Sequence, residues 1–166
     1  RKLRQWYTEN ADACLAEECR NDEVARLARE LLSGTGFRGI GSVEFKLDAD
    51  SGKYYIIEAN VGRPVTRIGM TETAGVPLLY TMYCDATGLP LPPDREQRYK
   101  GTKWISLHRD LQASWKYYRD GKLTIAGWLK SLRGVRSFAV LSLRDPMPFI
   151  SLILGGLTGL FKNPKK

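Results

Sequence analysis

The chain has 166 residues, with 26 Lys and Arg against 18 Asp and Glu and a formal net charge of +8, which is long enough to bury one real core. One histidine, His108, supplies no Ser-His-Asp set for hydrolysis, and no P-loop signature is present. Cys14, Cys19 and Cys84 are an odd number without a short disulfide framework, and with no secretory signal visible they fit a cytoplasmic protein.

In chain order, Val24, Leu27, Ala28, Leu31 and Leu32 fall at helical spacing. They predict an amphipathic helix capped by Asn21 or Asp22, with Gly34 just past its end and its apolar stripe in the core against a sheet. Gly36 to Ser42 then reads as a turn; its glycines would also let backbone approach a nucleotide. Asp48-Ala49-Asp50-Ser51-Gly52-Lys53 separates two runs that alternate apolar and polar, which predicts an antiparallel hairpin. Folded symmetrically about Ser51, it sets Val43 against Ala59, Phe45 against Ile57 and Leu47 against Tyr55 on one wholly apolar face. Glu44 then opposes Glu58 on the other face, with Asn60 two residues along. A slip of one residue would bury the acids and expose Phe45 and Ile57.

Pro77 suits the first turn of a second helix running to about Gly88, where Leu89-Pro90-Leu91-Pro92-Pro93 stops it. That proline run predicts a boundary between a segment 1–93 and a basic segment 94–166. The charge changes there: residues 1–94 hold 11 Lys and Arg against 14 Asp and Glu, and residues 95–166 hold 15 against 4. Expected in the basic segment are a strand from Trp104 to Leu107, a helix from Asp110 to about Arg119, and another from Thr124 to Leu132. A strand from Phe138 to Ser142 and a helix within Phe149 to Phe161 follow.

Trp104, Trp115, Tyr118 and Trp128 interleave with the bases, as nucleic-acid stacking would require. No nucleic-acid motif accompanies them, and they read as core aromatics with cationic neighbours. Met147 to Phe161 is the most apolar run, but it is shorter than the ~20 residues needed to span a bilayer. It reads as a buried helix; beside Lys162, Lys165 and Lys166, the other reading is a segment lying on an anionic membrane surface.

The chemistry concentrates in the hairpin. Two carboxylates directly across a strand pair, about 5 Å apart at Cβ, repel each other, and a hard cation offsets that by taking carboxylate and amide oxygens while keeping phosphate and water as its other ligands. Arg63, after Val61-Gly62, would place a guanidinium near charge developing on a phosphoryl group or an oxyanion. Lys46 shares the strand face of Glu44 and is a candidate for reaching a phosphate. A solvated acidic strand face with surface cations is the other reading of these residues.

Three stretches carry a resemblance: Gly36-Phe37-Arg38-Gly39-Ile40-Gly41-Ser42-Val43-Glu44-Phe45, Tyr55-Ile56-Ile57-Glu58-Ala59-Asn60, and Glu72-Thr73-Ala74-Gly75-Val76-Pro77-Leu78-Leu79. In this order, from about Arg26 to Pro90, they resemble the C-terminal half of an ATP-grasp domain. The Val-Gly-Arg-Pro ending and the long tail are similar to those of bacterial ATP-grasp carboligases of the carboxylate-amine ligase type. The resemblance implies an α/β (α+β) fold, an antiparallel sheet with packed helices, followed by a basic mixed α/β tail. It implies ATP and magnesium, with manganese as the other ion, held by Glu44, Glu58 and Asn60, and a catalytic arginine just after the asparagine. The family commonly has Asn-Xaa-Arg, whereas this chain has Asn60-Val61-Gly62-Arg63, so both Arg63 and Arg67 are candidates, with Lys46 and Arg67 toward the nucleotide.

The expected activity is ATP-dependent joining of a small-molecule carboxylate to an amine through an acyl phosphate. A whole ATP-grasp enzyme also has a substrate domain and a small lobe whose lysines grip the nucleotide. Neither is recognised here, and the chain opens at Arg1-Lys2-Leu3-Arg4 without Met, so it reads as a fragment that does not turn over alone and partners the N-terminal lobes. Location in the cytoplasm, including the inner face of the membrane, and no nucleic-acid partner complete these expectations. The opposing class is a non-catalytic basic module that docks on anionic membrane or polymer, which leaves the facing glutamates without a purpose.

Overall fold

The computed structural model describes residues 1–6 and 12–162. In chain order the elements are β1 (Lys2–Gln5), β2 (Ala13–Glu17), α1 (Asp22–Gly34), β3 (Gly41–Leu47), β4 (Tyr54–Val61), α2 (Ile68–Thr73) and α3 (Leu78–Thr87). There follow β5 (Lys103–Ile105), α4 (Leu107–Arg119), α5 (Ile125–Ser131), β6 (Val135–Phe138) and α6 (Met147–Lys162). The result is a mixed α/β chain with two sheets. Its two compact units are Arg1–Glu18 with Gly101–Lys166, and Cys19–Lys100.

The division by compactness therefore differs from the proline-run boundary at 93, because the first eighteen residues fold with the basic segment. The first unit is a four-stranded sheet in the order β1-β2-β5-β6. β1 and β2 are antiparallel, β2 pairs antiparallel with β5 through Leu15↔Ile105, and β5 pairs parallel with β6. Ala13, Cys14, Leu15 and Ala16 of β2 are all buried, as are Trp104 and Ile105 of β5. Consecutive burial marks a central strand covered on both faces.

Across this sheet α4 presents Asp110, Ala113 and Ser114, spaced i, i+3, i+4, as its buried face. Asp110 is fully buried, and both of its carboxylate oxygens are hydrogen-bonded. Its Oδ1 accepts from Arg4 Nη1 at 2.5 Å and from the Cys14 thiol at 3.6 Å; its Oδ2 accepts from Trp128 Nε1 at 2.9 Å and from Ser114 Oγ at 3.4 Å. Arg4 also donates to Ser131 Oγ at 2.8 Å. One carboxylate thus ties β1, β2, α4 and α5 together, and a buried charge is tolerated because it is paired and hydrogen-bonded.

Several expectations for this unit are corrected. The last strand is Val135–Phe138 rather than Phe138 to Ser142: bulky Trp104 takes small Ser137 as its partner, which fixes pairing on the residues before the apolar run. Trp104 is core, and Trp128 is half-buried with its indole N–H on Asp110, but Trp115 and Tyr118 are exposed. They lie off the small, polar face with which α4 meets the sheet. On α6, Met147, Ile150 and Leu152 to Leu154 are likewise exposed rather than buried. Lys165 and Lys166 lie outside the described residues.

In the second unit, α1 begins where expected, with Asn21 Oδ1 accepting from Val24 N at 3.0 Å and Asn21 Nδ2 donating to Tyr54 Oη at 2.7 Å. Its apolar stripe is half-buried, with no residue of the helix fully buried, so the expectation of a core stripe is corrected. α3 starts after Pro77 and ends on Gly88, whose φ of 71° is the left-handed conformation suited to a helix C-cap. The Pro77 ring has no hydrogen-bond acceptor to cap α3; the Glu72 carboxylate does so from outside, accepting from Leu79 N at 2.8 Å. Arg38 grips Asp85 of α3 through Nε and Nη2 at 2.6 to 3.2 Å. That contact holds the Asp85 carboxyl below the ordinary carboxylate range.

Candidate functional site

β3 and β4 form a two-stranded antiparallel sheet whose register puts Val43 opposite Ala59 and Glu44 opposite Glu58, as the alternation predicts. Beyond Glu44 the register shifts. Phe45 pairs with Ile56, Lys46 with Tyr55 and Leu47 with Tyr54, so Ile57 is the extra residue of a bulge. The expected pairs Phe45–Ile57 and Leu47–Tyr55, and the wholly apolar face built on them, are corrected accordingly. The turn is the physical reason: Asp48 N donates to Lys53 O and Gly52 N to Asp48 O, both at 2.9 Å. This closes the hairpin with Leu47 opposite Tyr54 instead of symmetrically about Ser51. The bulge sits immediately beside the two acids.

β4 alternation puts Asn60 on the face of Glu58. Asn60 Nδ2 donates to Glu58 Oε1 at 2.5 Å, and Asn60 Oδ1 accepts from Arg63 Nη2 at 2.9 Å. Arg63 can turn back because Gly62 adopts a φ of 77° and donates its N–H to Ile40 O at 2.8 Å. Few residues other than glycine hold that conformation without strain. The additional residue of Asn60-Val61-Gly62-Arg63 is thus absorbed in a turn that returns the guanidinium to the amide. On the β3 side, Arg67 Nη2 stands 4.0 Å from Glu44 Oε2. Arg67 is the residue that leads into α2.

Glu44, Glu58, Asn60, Arg63 and Arg67 are therefore brought together on one side of the hairpin, each acid with a basic or amide neighbour. Lys46, exposed, lies toward the turn. The Ser51 hydroxyl and amide hold the Asp48 carboxyl below its ordinary range, and Lys46 adds a smaller pull in the same direction. Among the described residues no group of three His, Cys, Asp or Glu side chains gathers as a metal site. The donor set is instead two carboxylates and an amide oxygen, hard ligands suited to magnesium when phosphate and water complete its shell.

Reasoning from sequence missed α2 and the small cavity of about 90 Å³ that it helps to form beside Arg63, lined also by Gly41, Ser42, Pro64 and Thr71. A helix of six residues gives too short a periodic signal to read. The only advance sign was Pro64, which ends any continuation of β4.

Residues 5–93, more than half of the chain, match the family described as carbamoyl-phosphate synthase L chain, ATP binding domain. Comparison with curated proteins gives no match, and comparison with solved structures gives none.

Proposed function

The chain belongs to the ATP-grasp family of the carbamoyl-phosphate synthase L chain ATP-binding domain, whose chemistry is of the ATP-dependent ligase type, and from that premise we propose that it carries the metal and phosphate side of a carboxylate-amine ligase active site. The supporting observation is the register that opposes Glu44 to Glu58, with Arg63, Asn60 and Glu58 joined in one hydrogen-bonded line. In this reading the region 1–93 is the C-terminal portion of the ATP-grasp domain and 94–166 its basic mixed α/β tail.

Glu44, Glu58 and Asn60 are the ligands for magnesium, or for manganese in its place. The bound ion supplies charge neutralisation at the terminal phosphates of ATP. Opposed carboxylates on paired strands bring both ligands to one position. Arg63 carries charge stabilisation for the phosphoryl group as a substrate carboxylate attacks it. Its Nη2 is already oriented by Asn60, which limits the rotamer entropy lost on binding. Arg67, held near Glu44, is the second cation of the site and faces the nucleotide; Lys46 is the third candidate. An amine then displaces phosphate from the acyl phosphate and leaves an amide. In this reading the protein acts in the cytoplasm.

Calorimetric titration of the chain with ATP and magnesium tests the assignment. Wild-type protein should bind in a magnesium-dependent manner, and Glu58→Gln should lose at least about tenfold in affinity, the order expected when one charged ligand is removed. Binding that ignores magnesium, or that stays at the wild-type level in both Glu58→Gln and Glu44→Gln, removes the reading. Arg63→Ala and Arg67→Ala, compared in the complete enzyme, decide which arginine serves the chemical step: that variant loses kcat with KM for ATP little changed.

A further inference from the structure

The helix α4 buries a polar face, and both α4 and α5 turn large apolar side chains to the surface. α4 buries Asp110, Ala113 and Ser114 and turns Leu111, Trp115 and Tyr118 outward. α5 exposes Ile125 and Leu129, one turn apart, and Trp115 and Ile125 are each 63% exposed. Between them runs a mostly apolar groove of about 450 Å³, lined by aliphatic and aromatic side chains together with Ser114 and Thr124. A contiguous apolar surface of this kind marks an interaction site.

Charge identifies what it meets. The compact unit containing this face holds 15 Lys and Arg against 7 Asp and Glu, whereas the other unit holds 11 against 11, so the entire net charge of the chain belongs to the unit with the groove. Arg119 follows Tyr118 at the end of α4, Lys130 follows Leu129 on α5, and Arg133 lies just beyond, so the apolar strip is edged by cations. The same unit carries α6, sixteen residues long, with an exposed apolar surface from Met147 to Leu154 and Lys162 at its end. Among the described residues no helix is long and apolar enough to cross a membrane.

We propose that the α4–α5 face docks on an anionic lipid bilayer, with Trp115, Ile125 and Leu129 entering the headgroup boundary and Arg119, Lys130 and Arg133 meeting the lipid phosphates. This goes beyond the ligase reading and does not depend on it. Aromatic rings with adjacent bases are the side chains that favour the membrane interface. A nucleic acid suits the face less well: Trp115 and Tyr118 stack on each other at 5.9 Å between centroids, and the groove offers almost no groups to read a base edge.

The full chain is cosedimented with phosphatidylcholine vesicles, with and without phosphatidylglycerol, at low and high salt. Partitioning should require phosphatidylglycerol and weaken with salt. Arg119→Gln with Lys130→Gln should reduce it about 30-fold, from roughly one tenfold step or less per cation at the surface. Trp115→Ser with Ile125→Ser should reduce it as strongly at both salt concentrations, and brominated lipid should quench wild-type tryptophan fluorescence more than that of Trp115→Phe. All four side chains are exposed, so unchanged thermal unfolding accompanies each result. The proposal is overturned by absence of partitioning, by partitioning that both double variants leave at the wild-type level, or by partitioning that disappears only when residues 147–166 are removed. A lipid-free dimer or an oligonucleotide complex that Trp115→Ser abolishes, without vesicle binding, assigns the face to a second copy or to nucleic acid and equally ends it.

Discussion

Asn60 donates its side-chain amide to the Glu58 carboxylate at 2.5 Å, two residues back along the same face of β4. Because its carbonyl oxygen accepts from Arg63 at 2.9 Å, the amide stands between the two charges and links the Arg63 cation to the acid through its own two ends.

The like-charged pair Glu44–Glu58 gives the first prediction. Facing acids cost a strand pair a few tenths of a kcal/mol, so Glu58→Gln should raise the stability of the metal-free protein by about 0.3 kcal/mol. Magnesium with ATP should then raise the melting temperature of wild type and leave that of the variant nearly unmoved, since only a ligand bound by the native state stabilises it. Thermal unfolding in the two buffers reads both effects.

Asp110 gives the second. Asp110→Asn keeps the shape but leaves Arg4 buried without its counter-charge, and the expected loss is about 3 to 5 kcal/mol. Arg26→Ala, which removes an exposed ion pair with Glu30 within α1, should change stability by less than about 0.5 kcal/mol. Urea denaturation of the two variants side by side makes the contrast.

Cys14 gives a pH dependence. Burial first, and the Asp110 carboxylate second, push its thiol from 9.0 up to about 12. The unfolded chain loses this proton near pH 9 while the folded protein keeps it. The contribution is therefore full below pH 9 and falls as pH rises toward 12, by at most about 1.4 kcal/mol per pH unit. Stability followed by denaturant from pH 8 to about 11 should decline more steeply in wild type than in Cys14→Ala. At neutral pH a thiol reagent should label exposed Cys19 quickly and reach buried Cys14 and Cys84 only on unfolding.

Asn21 separates two roles held by one side chain. Asn21→Ala loses both the cap to Val24 and the bond to Tyr54 and should cost about 1 kcal/mol or somewhat more. Asn21→Asp keeps the accepting oxygen and adds a charge favourable at a helix start, yet gives up the donor to Tyr54. If capping dominates, its unfolding midpoint stays near wild type; if the tether to Tyr54 dominates, it falls with the alanine variant.

What could be read from the chain were features written locally. Asn21 before a 3.6-residue pattern, Gly88 after one, and alternation on both sides of Asp48 to Lys53 each declare an element within a few neighbouring residues, and the opposition of Glu44 to Glu58 follows from that alternation. The bulge at Ile57 is not local, since it arises where turn closure and strand pairing demand registers one residue apart. β1 and β2 were invisible for a related reason: Ala13, Cys14 and Ala16 are weak strand formers, and their strand exists because Trp104 and Ile105, some ninety residues later, pair with it. The outward-facing Trp115 and Tyr118 misled because apolar side chains are ordinarily placed inside; α4 buries a paired carboxylate there instead.

The pairing of Leu15 with Ile105 has a practical result for anyone dissecting the protein. A piece cut at Pro93 would contain β2 but not the strand that covers its edge, leaving a row of unsatisfied amides and carbonyls free to recruit another chain. Insolubility of such a piece would report a severed sheet rather than a failure of the hairpin that carries the acids.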